Sequence, residues 1–332
     1  MIVLGIETSC DETAAAVCQG GSILSSVISS QKIHGQYGGV VPEIASREHE
    51  KQIVPIVEEA LNGAAVLKEN LHAIAVTRGP GLMGALLTGV SFASGLSEGL
   101  EIPCLGMNHM EAHIFANFIA DPKLNYPFLS LLVSGGHTQI WKVNGFGTYE
   151  LLGETRDDAA GEAFDKGARI LGLDYPGGPA IEKAAKGGDE TAVTFPQAFR
   201  KSDNIEFSFS GLKTALLNYV RQEGKDMISQ NLADIAASYQ AAIIGILLNK
   251  LRLAVDQAGI RTTVLGGGVA ANQEMREKAA AILGDCTVLY PDASLCTDNA
   301  AMVAFTGELY LKSSPERSGD LAVIPNLRLA GQ

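Results

Sequence analysis

Phe128-Leu129-Ser130-Leu131-Leu132-Val133-Ser134-Gly135-Gly136-His137-Thr138-Gln139 is the stretch on which the fold turns. Phe128–Val133 reads as an apolar strand, Ser134–Thr138 as a turn of small and hydroxyl residues, and Gln139–Val143 as the returning strand. The same order opens the chain. Strand Ile2–Ile6 leads into the polar turn Glu7-Thr8-Ser9-Cys10-Asp11-Glu12-Thr13. Strand Ala14–Val17 follows, and Ile23–Ser29 continues the meander after Gly20-Gly21. A strand–turn–strand unit that recurs one domain later points to a duplicated α/β fold with a phosphate-binding hairpin in each half. Two plain polar hairpins are the alternative.

Between the hairpins the sequence alternates helix and strand. A helix is expected over 41–62, then a strand Ala73–Thr77 ending in Arg78-Gly79-Pro80-Gly81, a helix Leu82–Leu96 and a strand Ile102–Gly106. That last strand runs straight into Asn108-His109-Met110-Glu111-Ala112-His113. On a helix, residues four apart share a face, so two imidazoles point the same way and can share one metal ion. Histidines at that spacing are also found as ordinary core or surface residues. After the second hairpin, 155–166 opens a helix to about Leu171 that carries Asp165. Tyr175-Pro176-Gly177-Gly178-Pro179 reads as a loop whose bare backbone would admit a ligand, or as a plain turn. One or two long apolar-faced helices are expected over 231–259. Strand Thr262–Leu265 then meets Gly266-Gly267-Gly268 before a helix starting near Gln273, a platform suited to a nucleotide. It is not G-x-G-x-x-G, so a dinucleotide fold is not supported. Thr297-Asp298-Asn299 opens the final helix. Asp298 is either its N-cap or the carboxylate that completes the histidine pair.

Composition narrows the class. A chain of 332 residues exceeds what one core serves, so two domains are expected. The stretch Leu82–Leu96 is too short and too rich in glycine and hydroxyls for a bilayer, and no basic leader precedes the first strand. Five scattered cysteines without C-x-x-C suit reduced thiols in a cytoplasmic protein with no membrane association. A net charge of −12 argues against a free-standing nucleic-acid binder. Two basic clusters, Arg156/Lys166/Arg169 and Lys201/Lys213/Arg221/Lys225, read as solvated faces or as local patches.

Taken together, Gly5–Thr13, Gly79–Leu82, Asn108–His113, Leu132–Thr138, Gly266–Asn272 and Thr297–Asn299 resemble the TsaD (Gcp/YgjD) family of tRNA threonylcarbamoyl-adenosine transferases, along essentially the whole chain. The resemblance implies a duplicated actin-like ATPase (ASKHA) fold with two α/β domains around a central cleft. Its first domain would be 1–106 plus about 297–332 and its second 107–296, with the histidine helix at the junction. It implies His109, His113 and Asp298 as ligands of one divalent metal, Fe2+ or Zn2+. Leu132, Val133, Ser134, Gly135, Gly136, Asp165, Gly178 and Asn272 would contact the adenylate, with Glu182 where some relatives carry Asp. The bound nucleotide would be threonylcarbamoyl-AMP, AMP or ATP, with Mg2+ where phosphate is bound. The reaction implied is transfer of the threonylcarbamoyl group to N6 of adenosine at tRNA position 37. Implied partners are a TsaB-like paralogue, a TsaE-like ATPase and tRNA, the last bound weakly by this chain alone. For the base that accepts the amine proton, Asp11 or Glu12 is the candidate. Alternatively they hold a metal–phosphate or cap the turn. His109-x-x-x-His113 also raises a metal-dependent (glyco)peptidase, but zincins carry H-E-x-x-H, and Glu111 falls one residue late.

Overall fold

Side-chain alternation in the first strand sends residues to two different cores. In β1 (Ile2–Glu7), Leu4 and Ile6 join the cluster with Ile53, Val57, Val90 and Ala93, whereas Val3 joins Ala112, Ala116, Met302 and Val303. Each face of the sheet is therefore covered by its own helix pair. A computed structural model describes residues 1–199, 202–313 and 321–329. Lys201 of the second basic cluster lies outside the described residues, as does the side chain of Lys225.

The described residues form two units. The first comprises Met1–Leu124 and the chain from Ser294 onward. Its sheet adds β2 (Glu12–Gln19), β3 (Ser22–Ser30), β4 (Ala73–Gly79) and β5 (Cys104–Asn108), in the order β3-β2-β1-β4-β5. The first three strands are antiparallel, and β4 and β5 run parallel to β1. Helices α1 (Pro42–Gly63) and α2 (Met83–Leu100) supply one core, and α3 (His109–Ala120) with a late helix, α11 (Ala300–Ser313), supplies the other. The second face is lined by small residues. Ala14 and Ala16 pack on Ala300 and Ala301, and a Cβ on Gly5 would lie 2.4 Å from the Ala300 carbonyl oxygen. That close approach seats the start of α11 beside α3. The histidine helix thus packs within the first unit.

The second unit, Asn125–Ala293, repeats the plan. Strands β6 (Phe128–Val133), β7 (Thr138–Gly145), β8 (Thr148–Glu154), β9 (Thr262–Gly266) and β10 (Thr287–Leu289) lie in the order β10-β9-β6-β7-β8. Pairing outward from the central strand is antiparallel through two strands on one side and parallel through two on the other, as in the first sheet. Its helices are α4 (Ala160–Leu171), α5 (Gly177–Ala184), α6 (Ser210–Glu223), α7 (Lys225–Gln230), α8 (Leu232–Ala258) and α9 (Gln273–Ile282). The four-residue α10 (Ala293–Cys296) leads back to the first unit. Helix α8 is long and apolar enough to cross a bilayer, but 67% of its apolar window is buried and it serves as a core helix here. Two elements depart from the sequence reading. Strand β8 was not anticipated, because Thr148–Glu154 alternates only weakly. Gly177 and Gly178 form the first turn of α5 rather than a loop.

Candidate metal centre and nucleotide loops

Asn108 starts the histidine helix. Its Oδ1 accepts from the N–H groups of Met110 and Glu111 at 2.9 and 3.2 Å, which fixes the first turn. His109 and His113 then lie one above the other, both buried. At the start of α11 the cap is Asn299, whose Oδ1 accepts from Met302 N–H at 3.0 Å. Asp298 is not needed for capping and turns to the histidines. Its Oδ1 lies 3.3 Å from His109 Nε2 and 3.1 Å from His113 Nε2, and the two nitrogens are 3.2 Å apart. Among the described residues this is the one group of three or more such side chains whose donor atoms converge.

The triangle fits a metal. Bonds of about 2.0–2.1 Å place ligand atoms about 3.3 Å apart at tetrahedral angles and about 3.0 Å apart at right angles. Three atoms separated by 3.1–3.3 Å can therefore share one ion without moving far. Electrostatics agree with a site built for positive charge. Burial opposes a charged His109, yet Asp298 and Glu7 outweigh it and hold the imidazole well above its ordinary range. Burial lowers His113, with Asp298 opposing. Asp298 is held far below the ordinary carboxylate range: burial opposes this, but His109 and then His113 prevail.

Sequence reasoning placed Glu7 in a polar turn and missed its role. It ends β1, fully buried, and its Oε2 accepts from His109 Nδ1–H at 3.0 Å. His49 was also missed. Its Nε2–H donates to the Cys10 carbonyl at 2.9 Å and its Nδ1 accepts from the Thr13 hydroxyl at 2.8 Å. The turn carrying Asp11 and Glu12 is thereby tied to α1. Gln31 N–H adds a bond to the Asp11 carbonyl at 3.0 Å. Burial, followed by Asp11 and Asp298, pushes Glu12 up to about 9.

The glycine loops belong to the second unit. Leu132 and Val133 end β6, paired with Gln139 and Thr138. Ser134 N–H donates to the His137 carbonyl at 2.9 Å, its hydroxyl accepts from His137 N–H at 3.2 Å, and its carbonyl accepts from Gly161 N–H at 3.2 Å. Gly135 and Gly136 form the open tip, where an added Cβ would meet nothing within 4 Å. Behind them, Gly267 adopts φ +87°, and a Cβ there would sit 2.4 Å from the Val133 carbonyl oxygen. Asp165 Oδ1 accepts from Gly177 N–H at 2.7 Å and holds the start of α5, next to Gly178. Glu182 Oε1 accepts from Gln273 N–H at 2.8 Å, and Asn272 caps the same helix through Met275 N–H at 2.9 Å. Bonds from Ser134, Asp165, Glu182 and Asn272 thus reach the starts of α4, α5 and α9.

Three members of the basic clusters are held in ion pairs. Arg156 pairs with Glu206, Lys166 with Asp158 and Glu162, and Lys213 with Asp158.

The family model described as TsaD, tRNA N6-adenosine threonylcarbamoyltransferase, matches residues 22–305. The chain belongs to the TsaD family. A tRNA N6-adenosine threonylcarbamoyltransferase of Christiangramia forsetii is 51% identical over 319 residues, covering 93% of each chain. That of Thermosipho africanus is 49% identical over 332 residues, covering 99% of this chain and all of its own. Two solved structures share the fold. The HypF of T. kodakarensis superposes with TM-score 0.63 at 16% identity, over 94% of this chain and 48% of that one. The activator of 2-hydroxyisocaproyl-CoA dehydratase from Clostridium difficile, with bound ADPNP, gives TM-score 0.54 at 16% identity, over 96% and 99%. These likenesses and the repeated sheet order establish the duplicated actin-like ATPase architecture. TsaD membership does not favour the peptidase reading, and the geometry gives a reason. Glu111, the residue that would have to serve as its base, is buried with both oxygens accepting from the Tyr310 hydroxyl at 2.7–2.8 Å.

Proposed function

We propose that this chain moves the threonylcarbamoyl group of threonylcarbamoyl-AMP onto N6 of adenosine at tRNA position 37. The observation that carries this reading is the convergence of His109, His113 and Asp298 in a TsaD-family chain. The N6 amine attacks the carbamoyl carbonyl carbon, a C–N bond forms, the C–O bond to the phosphate breaks, and AMP leaves. His109 Nε2, His113 Nε2 and Asp298 Oδ1 would hold one Fe2+ or Zn2+ ion. Such an ion supplies Lewis-acid polarisation of the carbonyl through its open positions. The backbone at Leu132–Gly136 and Gly266–Gly268 cradles the adenylate, Mg2+ accompanying the phosphate, and Asp165, Gly178, Glu182 and Asn272 set its position. Asp11 accepts the amine proton. Glu12, pushed up to about 9, keeps its own proton at neutral pH and serves as a donor.

A net charge of −12 leaves little for a polyanion to bind. Membership of the TsaD family supports a TsaB-like paralogue and a TsaE-like ATPase as the partners that complete tRNA binding, in the cytoplasm. The test is transfer of labelled threonylcarbamoyl from the adenylate to tRNA with those partners supplied, read by nucleoside digestion. Modified adenosine that is lost in His109→Ala supports the proposal. Transfer by His109→Ala at the wild-type rate overturns the role of the metal centre, and no transfer by the wild type overturns the reaction.

A further inference from the structure

We propose that Glu7 is the positioning residue of the metal centre and fixes His109 in the tautomer that can bind an ion. The inference rests on the metal site proposed above. Glu7 is fully buried, and the three groups hydrogen-bonded to its carboxylate are all donors. Ser9 N–H donates to Oε1 at 2.5 Å. The Thr77 hydroxyl donates to Oε2 at 2.6 Å, and His109 Nδ1–H donates to the same oxygen at 3.0 Å. The frame is rigid, because β1 and β4 pair in parallel through Ile6 and Val76, one residue before Glu7 and Thr77. When His109 gives up one proton to bind an ion, Glu7 keeps the remaining one on Nδ1, and the lone pair of Nε2 then faces Asp298 and His113.

The second histidine differs. His113 Nδ1 is buried with no hydrogen-bond partner, so packing alone orients that ring. Glu7 therefore supplies the charged second-sphere contact of the centre, with the Ser9 hydroxyl 3.3 Å from the same His109 Nδ1. A glutamine could not replace it, because an amide offers one acceptor oxygen to donors arriving on two sides. With its oxygen toward His109, its NH2 faces Ser9 N–H. With its oxygen toward Ser9, its NH2 faces Nδ1, and the imidazole proton moves to Nε2, the atom that must bind the ion.

The experiment measures Zn2+ affinity by chelator competition, and the visible spectrum of bound Co2+, on the full-length chain. Variants are Glu7→Gln and Thr77→Val. Removing an outer-sphere partner of a ligating histidine lowers metal affinity by about 10–100-fold, and that loss is expected for Glu7→Gln. Its Co2+ bands should shift, and the low-field Nδ1–H proton resonance of His109 should vanish. Thr77→Val keeps the carboxylate and removes one donor, so it should bind Zn2+ several-fold more weakly. Wild-type affinity and an unshifted Co2+ spectrum in a folded Glu7→Gln protein overturn the proposal. If Glu7→Gln does not fold, unchanged affinity in Thr77→Val overturns it. Failure of the wild type to bind one ion removes the metal centre itself, a result separable from failure of the variants alone.

Discussion

Gly267→Ala tests how the nucleotide loops are built. The residue has φ +87°, and the new methyl would lie 2.4 Å from the Val133 carbonyl oxygen, 2.7 Å from its carbonyl carbon and 3.1 Å from its nitrogen. An L-residue in left-handed backbone costs about 1–2 kcal/mol. Forcing a methyl against main chain that has no soft end to give adds about 1–3 kcal/mol. The sum is about 2–5 kcal/mol. For a unit of 150–250 residues, each kcal/mol moves the melting temperature by about 2–4 °C, so a fall of roughly 4–20 °C is expected. Calorimetry should place the loss in the transition of the second unit. Gly136→Ala is the comparison, because a Cβ there meets nothing within 4 Å. It should change stability by less than about 0.5 kcal/mol. Isothermal titration with AMP should show Gly267→Ala binding more weakly, since Val133 carries the Ser134–Gly136 turn. A Gly267→Ala protein melting within about 1 °C of wild type, or melting together with Gly136→Ala, would refute the reasoning.

Further outcomes follow from the first unit. Glu12 is raised from 4.5 to about 9, so folded metal-free protein binds more protons than unfolded chain across that window, and stability falls as pH rises through it. Glu12→Gln should therefore raise the melting temperature of chelator-treated protein at pH 8 but not at pH 4. Equal effects at both values would contradict the assignment. His109 is raised and must lose a proton to bind an ion, so Zn2+ affinity should strengthen from pH 6 to pH 8 with proton release in weak buffer. A pH-independent affinity would count against it. Asn108→Ala removes the cap of α3 and the bond from Asn108 Nδ2 to the Arg328 carbonyl. It should cost about 0.5–2 kcal/mol in chemical denaturation, and no measurable loss would show that the cap is idle.

What the sequence disclosed followed from short-range pattern. The hairpins at 1–30 and 128–143, the histidine spacing and the strand–glycine–helix transition at 262–273 are all local, and the structure bears out the repeated fold they suggested. What escaped depends on long-range placement. Asp298 lies 185 residues from His113, and spacing left it as a possible cap until Asn299 proved to fill that role. Glu7 lies 102 residues from His109, in a stretch read from its composition as a polar turn. Gly5 held a readable clue, since a glycine inside an apolar strand signals close backbone approach, here by α11. The segment 321–329 docks through main-chain bonds, with Ile324 N–H bonded to the Arg78 carbonyl at 2.9 Å and Gly81 N–H to the Pro325 carbonyl at 3.0 Å, contacts that no local pattern signals.

The most direct test loads wild type and Asp298→Ala with Zn2+ or Fe2+, counts ions per chain by native mass spectrometry, and follows single-turnover transfer from threonylcarbamoyl-AMP to tRNA with partners present. The account predicts one ion and rapid transfer in the wild type, with both lost in the folded variant. Full transfer by Asp298→Ala without a bound ion would contradict it.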